Sequence, residues 1–414
     1  MATAIEAVTP RSDLAAFPTR KPMLRPDSFA LTALLAFLIS FGPLSIDLFL
    51  PSMPEIGLAL SAPASQMQLT ISLYLVGYAI GQIVYGPVSD RYGRKPVLLL
   101  AYVTYCLSSA VCFFAPNIEM LIVGRILQAL GVSGGLVVSR ALVRDLHDGV
   151  QAGRQLSRVH MMMGFVPIVA PLIGGLLLTF HGWRTGFVFQ GACGAIAGLL
   201  VWRYIDETHK PSPTSLRAMV DTYRTIMSNR VFVANLAVGA VGYSGLFAWI
   251  SGSPFVLQSL EGLTPLQYSL YYAASCVGFM IGGAIASRVV VRLGLDRTAG
   301  VGAVVLTLAG VGMIAGAAIG AGSAVMLTFS MTLYLGGIGL LLSQIVAAAL
   351  TPFPQNAGTA SSLIGFTQQC SAAVMGTVVG NSLASTAWPM ALGVAVAGGG
   401  SLVLWIATRK LRTA

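Results

Sequence analysis

The hydrophobic and polar positions of this chain fall into long apolar runs separated by short polar stretches rich in Pro and Gly. A helix needs about 20 apolar residues to cross roughly 30 Å of hydrocarbon, and runs of that length recur from Phe29 almost to the C-terminus. Their punctuation places spans at Phe29–Pro51, Met67–Pro87, Pro96–Ala115, Glu119–Leu142, Val159–Phe180 and Trp183–Tyr204. A second set follows at Val231–Phe255, Pro265–Val290, Thr298–Gly320, Ala324–Leu350, Gly358–Ser382 and Thr386–Thr408. Runs this long, without period-two alternation, exclude a β-barrel. The pattern predicts an all-α polytopic membrane protein of twelve transmembrane helices, with an N-terminal six-helix bundle over 29–204 and a C-terminal one over 231–408. Between them, 205–230 is the longest polar stretch. There Pro211, Ser212 and Pro213 precede an amphipathic order of Leu216, Met219, Val220, Tyr223, Ile226 and Met227, which reads as a cytoplasmic linker with one surface helix. Residues 1–28 and 409–414 are expected to be cytoplasmic tails, the first of them disordered.

Composition supports a membrane protein. Of the 414 residues 56% are hydrophobic and 9% charged, where a soluble domain carries about 25% charged residues. The net charge of +10 would suggest nucleic acid in a soluble protein, but here its distribution reads as orientation. Arg91, Arg94 and Lys95, then Arg140, Arg144, Arg154 and Arg158, then Arg288, Arg292 and Arg297, fall on the side of both termini, and Arg184 stands alone on the other. Lys and Arg concentrate in cytoplasmic loops, so both termini are expected in the cytoplasm, with the bilayer rather than nucleic acid as partner. The five cysteines, Cys106, Cys112, Cys193, Cys276 and Cys370, lie inside spans without paired spacing or flanking His. They read as small packing residues, and no disulfide or metal site is expected. The first apolar run is span-length rather than the ~7–15 residues of a signal core, so no cleavable signal is expected.

One polar stretch stands out, Gly86-Pro87-Val88-Ser89-Asp90-Arg91-Tyr92-Gly93-Arg94-Lys95-Pro96, after the second span. A weaker echo, Ser287 to Arg297, follows the eighth, without the acidic residue next to the Ser. Six spans on each side and this echo point to a parallel internal repeat, an arrangement of transporters that rock two halves about a midplane site. The 86–96 stretch resembles the loop motif of the major facilitator superfamily almost position for position. Ala170-Pro171-Leu172-Ile173-Gly174-Gly175 is similar to the antiporter motif of its drug/proton exchangers, and Asp47-Leu48-Phe49-Leu50-Pro51 to their acidic first-span motif. Pro51 to Pro54, Arg140 to Asp145 and Ala357 to Ala360 are similar to the bicyclomycin/chloramphenicol-resistance branch. The resemblance implies two pseudo-symmetric six-helix bundles, a multi-pass place in a bacterial inner membrane, and a cavity lined by spans one, four, seven and ten.

Asp47 and Arg125 are the ionisable residues placed well inside spans. Each costs at least ~2.5–3.5 kcal/mol to insert, so each reads as functional, with the other as its partner or near neighbour. Asp47 is the expected proton switch, alternating between protonated and ionised. Arg125 keeps its charge and can bias it. The alternative is a permanent ion pair that only fixes helix packing. Ile39 occupies the place where some multidrug relatives carry a second acid, so one proton is expected per neutral or zwitterionic substrate, and cations should be poor substrates.

Tyr74, Tyr78, Gln128, Tyr243, Phe247, Trp249, Gln344 and Gln368 are candidate substrate contacts, as are Tyr271 and Tyr272. Aromatic walls with few polar anchors suit moderately apolar compounds, although each residue taken alone fits packing or an interfacial belt better than ligand contact. Gly86, Asp90, Arg91, Gly93, Arg94 and Asp145 are candidate gating residues, with Pro171, Gly174 and Gly175 as a kinked, close-packed seal. By the resemblance, Asp90, Arg94 and Asp145 form a charge cluster, and Asp90 faces the start of the eleventh helix near Gly358 and Thr359.

The expected function is proton-coupled efflux of small amphipathic antimicrobials by alternating access, phenicol- or bicyclomycin-like, by a monomer with the proton as coupling ion and no cofactor. A proton-coupled exporter of a polar metabolite such as a sugar or amino acid is the alternative, and would need more hydrogen-bonding groups. A channel would need a charged or carbonyl ring. An enzyme would need a nucleophile, base or metal cluster, and no Gly-x-x-x-x-Gly-Lys stretch for ATP is present.

Overall fold

The computed structural model describes residues 24–26, 28–147, 149–208, 216–320, 323–353, 357–382 and 386–412. Residues 1–23 of the expected tail, and Pro211, Ser212 and Pro213 of the linker, lie outside them. Every regular element among the described residues is helical.

The first span differs from the single helix expected. It bends by 46° between α1 (Phe29–Ile39) and α2 (Phe41–Asp47), then passes through a 3-10 turn (Leu50–Ser52) into α3 (Met53–Ala59). Prolines place the breaks, because each lacks the N–H that would bond four residues back. Pro43 forgoes the carbonyl of Ile39, and Pro51 that of Asp47.

The remaining helices of the first half are α4 (Ala64–Tyr92), α5 (Arg94–Phe113), α6 (Ile118–Leu146), α7 (Gly149–Met163), α8 (Val166–His181) and α9 (Arg184–Tyr204). The fifth span is divided at Gly164 and Phe165, where Pro167 forgoes its bond to Met163. After the linker helix α10 (Leu216–Ser228) come α11 (Arg230–Ser253), a π-helical turn (Pro254–Leu260), α12 (Pro265–Ile319), α13 (Ala324–Leu350), α14 (Ala357–Ser382), α15 (Trp388–Ala407) and the short α16 (Arg409–Arg412).

Two boundaries correct the sequence reading. The second span was expected to end at Pro87, but α4 continues to Tyr92, so Gly86 to Tyr92 form its last turns and the turn itself is Gly93. At 1.5 Å per residue the 29 residues of α4 reach about 44 Å, well past a hydrocarbon layer of roughly 30 Å. The polar end therefore projects beyond the apolar layer. The eighth and ninth spans are one 55-residue element, α12, broken only at Gly294.

Nine described helices are long and apolar enough to cross a bilayer, or ten with the bent first span. α12 supplies two crossings, and α14, 26 residues long but more polar, completes twelve. Glycine allows the tightest packing: a Cβ on Gly278 or Gly282 would stand 1.9 or 2.0 Å from the carbonyl oxygens of Thr332 and Gly336. The halves meet along two seams, α4 on α14 and α8 on the first limb of α12. The linker helix belongs to the second half, since Ile226 is buried among Phe232, Ala349 and Ala360. We call the side bearing Arg94, Arg144 and Arg412 the basic face, and the side of α3 and the π-helical turn the opposite face.

Candidate functional site

Asp47 ends α2 and is buried, at 4% exposure. Its surroundings are built by the fifth span. A Cβ on Gly174 would lie 2.3 Å from the carbonyl oxygen of Leu48, so only glycine lets α8 close on the residue after Asp47. The next residue, Gly175, faces the other half, where a Cβ would lie 2.5 Å from Ser269 Oγ. Pro171, one turn earlier, interrupts the backbone bonding of the same helix. The two glycines thus bring the first span, α8 and α12 together at one level.

At that level the halves are joined by side chains. The Tyr272 hydroxyl of α12 donates to Asp47 Oδ1 at 3.0 Å. Gln258 Nε2 in the π-helical turn donates to the Pro51 carbonyl at 3.2 Å, and Gln68 Nε2 of α4 to Ser251 Oγ of α11 at 2.6 Å. These contacts close the molecule toward the opposite face.

Arg125 is not the ion-pair partner of Asp47. Its guanidinium, fully buried, lies between two aromatic rings, with Cζ 4.7 Å from the ring centre of Phe49 and 4.4 Å from that of Tyr74. Such desolvated cation–π contacts are worth about 2 kcal/mol. Nη1 donates to Gln128 Oε1 at 2.8 Å, whereas Nε and Nη2 bond no protein atom. The alternative of a permanent ion pair fails because Phe49, two residues past Asp47, takes the face of the guanidinium, and the carboxylate bonds Tyr272 instead.

Gln128 also departs from its expected role. Its amide donates to Ser109 Oγ and Gln190 Oε1, each at 2.8 Å, while its oxygen serves Arg125. All its bonding capacity on those atoms is directed into the first bundle and none toward the second half. Ser45 joins this network through Tyr105, its Oγ 2.7 Å from the phenol.

The aromatic candidates separate into groups. Tyr74 and Tyr78 stack with centroids 6.2 Å apart against α2, where the Tyr74 hydroxyl reaches the Gly42 carbonyl at 3.4 Å. Tyr243 and Phe247 share a face of α11, with rings 5.4 Å apart. Trp249 is fully buried about 200° around the same helix from Phe247. Gln344 is buried and donates to Ser343 Oγ at 3.0 Å, and Gln368 is half-buried on α14. Tyr271 lines an outer groove with Val325 and Phe329, away from its neighbour Tyr272.

At the basic face the structure brings Asp90, Arg94 and Asp145 together. Arg94 Nη1 bonds Asp90 Oδ1 at 2.5 Å and Ser89 Oγ at 2.6 Å, and Nε bonds Asp145 Oδ2 at 3.0 Å. Glu207, which sequence reasoning missed, accepts from the backbone N–H groups of Arg94 and Lys95 at 2.8 and 3.1 Å. It thereby caps the positive end of α5. Gly93 has φ +95°, and a Cβ there would meet the Glu207 carboxylate at 2.5 Å.

Gly86 carries no such constraint, since a Cβ would meet nothing within 4 Å. Arg91 stays outside the cluster, over the ring of Tyr92 at 5.4 Å. A cavity of about 380 Å³ lies beside the cluster, between Gln82, Asp90 and Arg140 of the first half and Tyr223, Thr359 and Ser362 of the second. Asp90 shares it with Gly358, but the side chain nearest Gly358 is that of Arg144.

Gln258, Gln68 and Ser251 were not named by sequence reading, and Tyr272, named there as a candidate substrate contact, bonds Asp47 across the halves. Tyr272 was visible only as one aromatic among several, and the others carry no local signal. Their meaning lies in pairings across 183 to 225 positions of chain.

A family model described as Major Facilitator Superfamily matches residues 32–377. The chain is 35% identical over 387 residues to an uncharacterized MFS-type transporter, YdgK, of Bacillus subtilis (strain 168), covering 90% of this chain and 92% of that one. It is 28% identical over 366 residues to a bicyclomycin resistance protein homolog of Haemophilus influenzae, covering 88% and 92%. Over 336 residues it is 29% identical to the multidrug resistance protein MdtL of Salmonella paratyphi C, covering 80% and 83%. Among solved structures, a D-xylose-proton symporter superposes with TM-score 0.74 at 15% identity, over 91% of this chain and 98% of that one. A peptide transporter POT in complex with sulfate superposes with TM-score 0.77 at 12% identity, over 94% and 96%. These two likenesses show the fold.

Proposed function

Since this chain belongs to the Major Facilitator Superfamily and is a multi-pass membrane transporter rather than an enzyme, we propose that it exports small amphipathic antimicrobials in exchange for protons. The basic face is cytoplasmic in this reading, following the concentration of Arg and Lys there, and the membrane is a bacterial inner membrane. The substrates are phenicol- or bicyclomycin-like, neutral or zwitterionic. The names of the bicyclomycin and multidrug resistance relatives support that class.

One observation carries the reading. Asp47 is a buried carboxyl group in the first span, seated by Gly174 of the fifth and bonded to the second half through Tyr272. A group so placed can take a proton from one side and give it to the other only if the halves move around it. One proton is then bound on one side and released on the other in each transport cycle. Arg125, fixed between Phe49 and Tyr74, holds a constant positive charge in the same half. That charge disfavours cationic substrates. The Asp90–Arg94–Asp145 cluster acts as the cytoplasmic gate, and Gly174 and Gly175 as the periplasmic seal. The protein works as a monomer with no cofactor besides the proton.

The test uses membrane vesicles with an imposed pH gradient and a panel of phenicols, bicyclomycin, sulfonamides and cationic dyes. Asp47→Asn is expected to abolish substrate-induced proton release and to lower gradient-driven export at least about tenfold. Normal coupled export by that variant ends the proposal, and a phenotype confined to cations contradicts the single-carboxylate argument.

A further inference from the structure

The side chains that join the halves toward the periplasmic face are of two kinds. Gln258 to the Pro51 carbonyl and Gln68 to Ser251 pair neutral groups. Tyr272 to Asp47 is different, because its acceptor changes charge. Asp47 also couples electrostatically to Tyr74 of α4, Tyr243 of α11, and Tyr268 and Cys276 of α12. Those phenols and the thiol carry no charge near neutral pH, and Arg125 of α6, against Tyr74, keeps its own. From α8, Gly174 packs on Leu48, the residue after Asp47, and the helix carries no titratable residue before its last, His181. Within this cluster Asp47 is therefore the group to which the proposed proton exchange assigns a change of charge.

We infer that Tyr272 is a coupling residue, whose hydroxyl holds the periplasmic seam shut while Asp47 is ionised and so stops the empty, deprotonated carrier from turning outward. The inference rests on the proton role proposed for Asp47. An exchanger that turns outward empty and deprotonated collects a proton from the periplasm, returns, and delivers it with nothing exported. That step is a leak. A hydrogen bond to an ionised acceptor is roughly twice as strong as one between neutral groups. The tie between the halves is accordingly tightest in the one state that must not open by itself. Protonation weakens it, which leaves the proton-loaded carrier free to reorient. In the deprotonated carrier, substrate binding has to supply the free energy that parts Tyr272 from Asp47.

Tyr272 suits this task by position. It is buried at 2% exposure in the first limb of α12, on the second half, and its ring lies 6.0 Å from that of Tyr268, whose hydroxyl is 3.2 Å from Ser253 Oγ. The ring is held by packing and the hydroxyl alone reaches across. Tyr272→Phe therefore removes the bond and keeps the packing.

The experiment measures proton flux without substrate, using purified protein in liposomes with an internal pH dye. Tyr272→Phe is expected to raise this flux about tenfold, the effect of losing a charge-assisted bond, and to lower the amount of drug exported per proton. The added flux should vanish in the Asp47→Asn/Tyr272→Phe double variant. A second readout is the distance between spin labels on periplasmic loops of the two halves. In the unsubstituted protein opening should fall as pH rises, Tyr272→Phe should flatten that dependence, and Ser251→Ala, which removes a neutral bond, should shift opening equally at every pH. A Tyr272→Phe variant that leaks no protons and keeps the pH dependence, beside an uncoupled Asp47→Asn, overturns this inference alone. Coupled export surviving in Asp47→Asn removes the proton role and this inference with it.

Discussion

The turns at Gly93 and Gly294 occupy corresponding places in the two halves and have nearly the same backbone, φ 95° and ψ 156° against φ 78° and ψ 173°. Their side chains have diverged. Counting from each glycine, Asp90 corresponds to Val291 and Arg94 to Leu295. In the first copy the pair binds Asp145 and lines a cavity that reaches Gly358 and Thr359 of the other half. In the second, Val291 is 84% exposed, and the acidic residue is Asp296, which accepts from Arg412 Nε at 2.9 Å. Trp405 Nε1 donates to the Asp296 backbone at 3.2 Å, and Arg412 also bonds Thr408 and the Trp405 carbonyl. One copy places its charges at the boundary between the halves, and the other ties down the C-terminal helix of its own bundle. The comparison teaches that a repeated turn fixes the path of the backbone, while the side chains decide whether its charges face the other half or tie down their own bundle.

Arg94→Ala should break this contrast most strongly. It removes a guanidinium shared by Asp90, Asp145 and Ser89 and leaves two carboxylates facing each other, at a cost of about 3 kcal/mol, the low end for a partly exposed cluster. Export turnover should fall more than about tenfold, a factor that 1.4 kcal/mol already supplies, with substrate preference unchanged. A changed substrate preference contradicts a gating role.

Next in size is the glycine pair. Alanine at either position strains a backbone region that belongs to glycine, by roughly 1–3 kcal/mol. At Gly93 the Cβ also displaces Glu207 from α5, whereas at Gly294 it meets nothing within 4 Å. Thermal unfolding in detergent should thus show Gly93→Ala less stable than Gly294→Ala by about 1 kcal/mol, the worth of a lost cap. Equal losses would mean that Glu207 contributes nothing. The smallest effect is expected from Asp296→Asn, which keeps shape but removes the charge accepting from Arg412. Stability should drop by about 1 kcal/mol, with turnover per folded molecule intact, and slowed transport there would contradict a purely structural role for the second copy.

Much of the fold was legible because the bilayer imposes a length on every crossing. Apolar runs near 20 residues gave the twelve spans, and Lys and Arg gave the two faces. Where the reading of boundaries failed, the cause was that α4 and α12 outrun the apolar layer. A polar stretch such as Gly86–Tyr92 looks like a loop in sequence yet satisfies its backbone as helix. Asp47 and the Arg94 cluster were visible as charges inside or beside apolar runs, where a charge is costly to keep. The bond from Tyr272 to Asp47 was not, because nothing in its neighbourhood of sequence distinguishes Tyr272 from Tyr271, and both read alike as candidate substrate contacts.

By itself, then, the sequence determined which residues must lie in the membrane, which side is basic and which buried charges need a partner, since all three follow from the cost of polar groups in hydrocarbon. Only the tertiary structure decided what the partners are: the rings of Phe49 and Tyr74 for Arg125, Tyr272 for Asp47, and Leu48 and Ser269 for the paired glycines of α8. Partner choice depends on geometry within about 3 Å between segments far apart in the chain, where hydrogen bonds and close contacts act, and no local pattern encodes it.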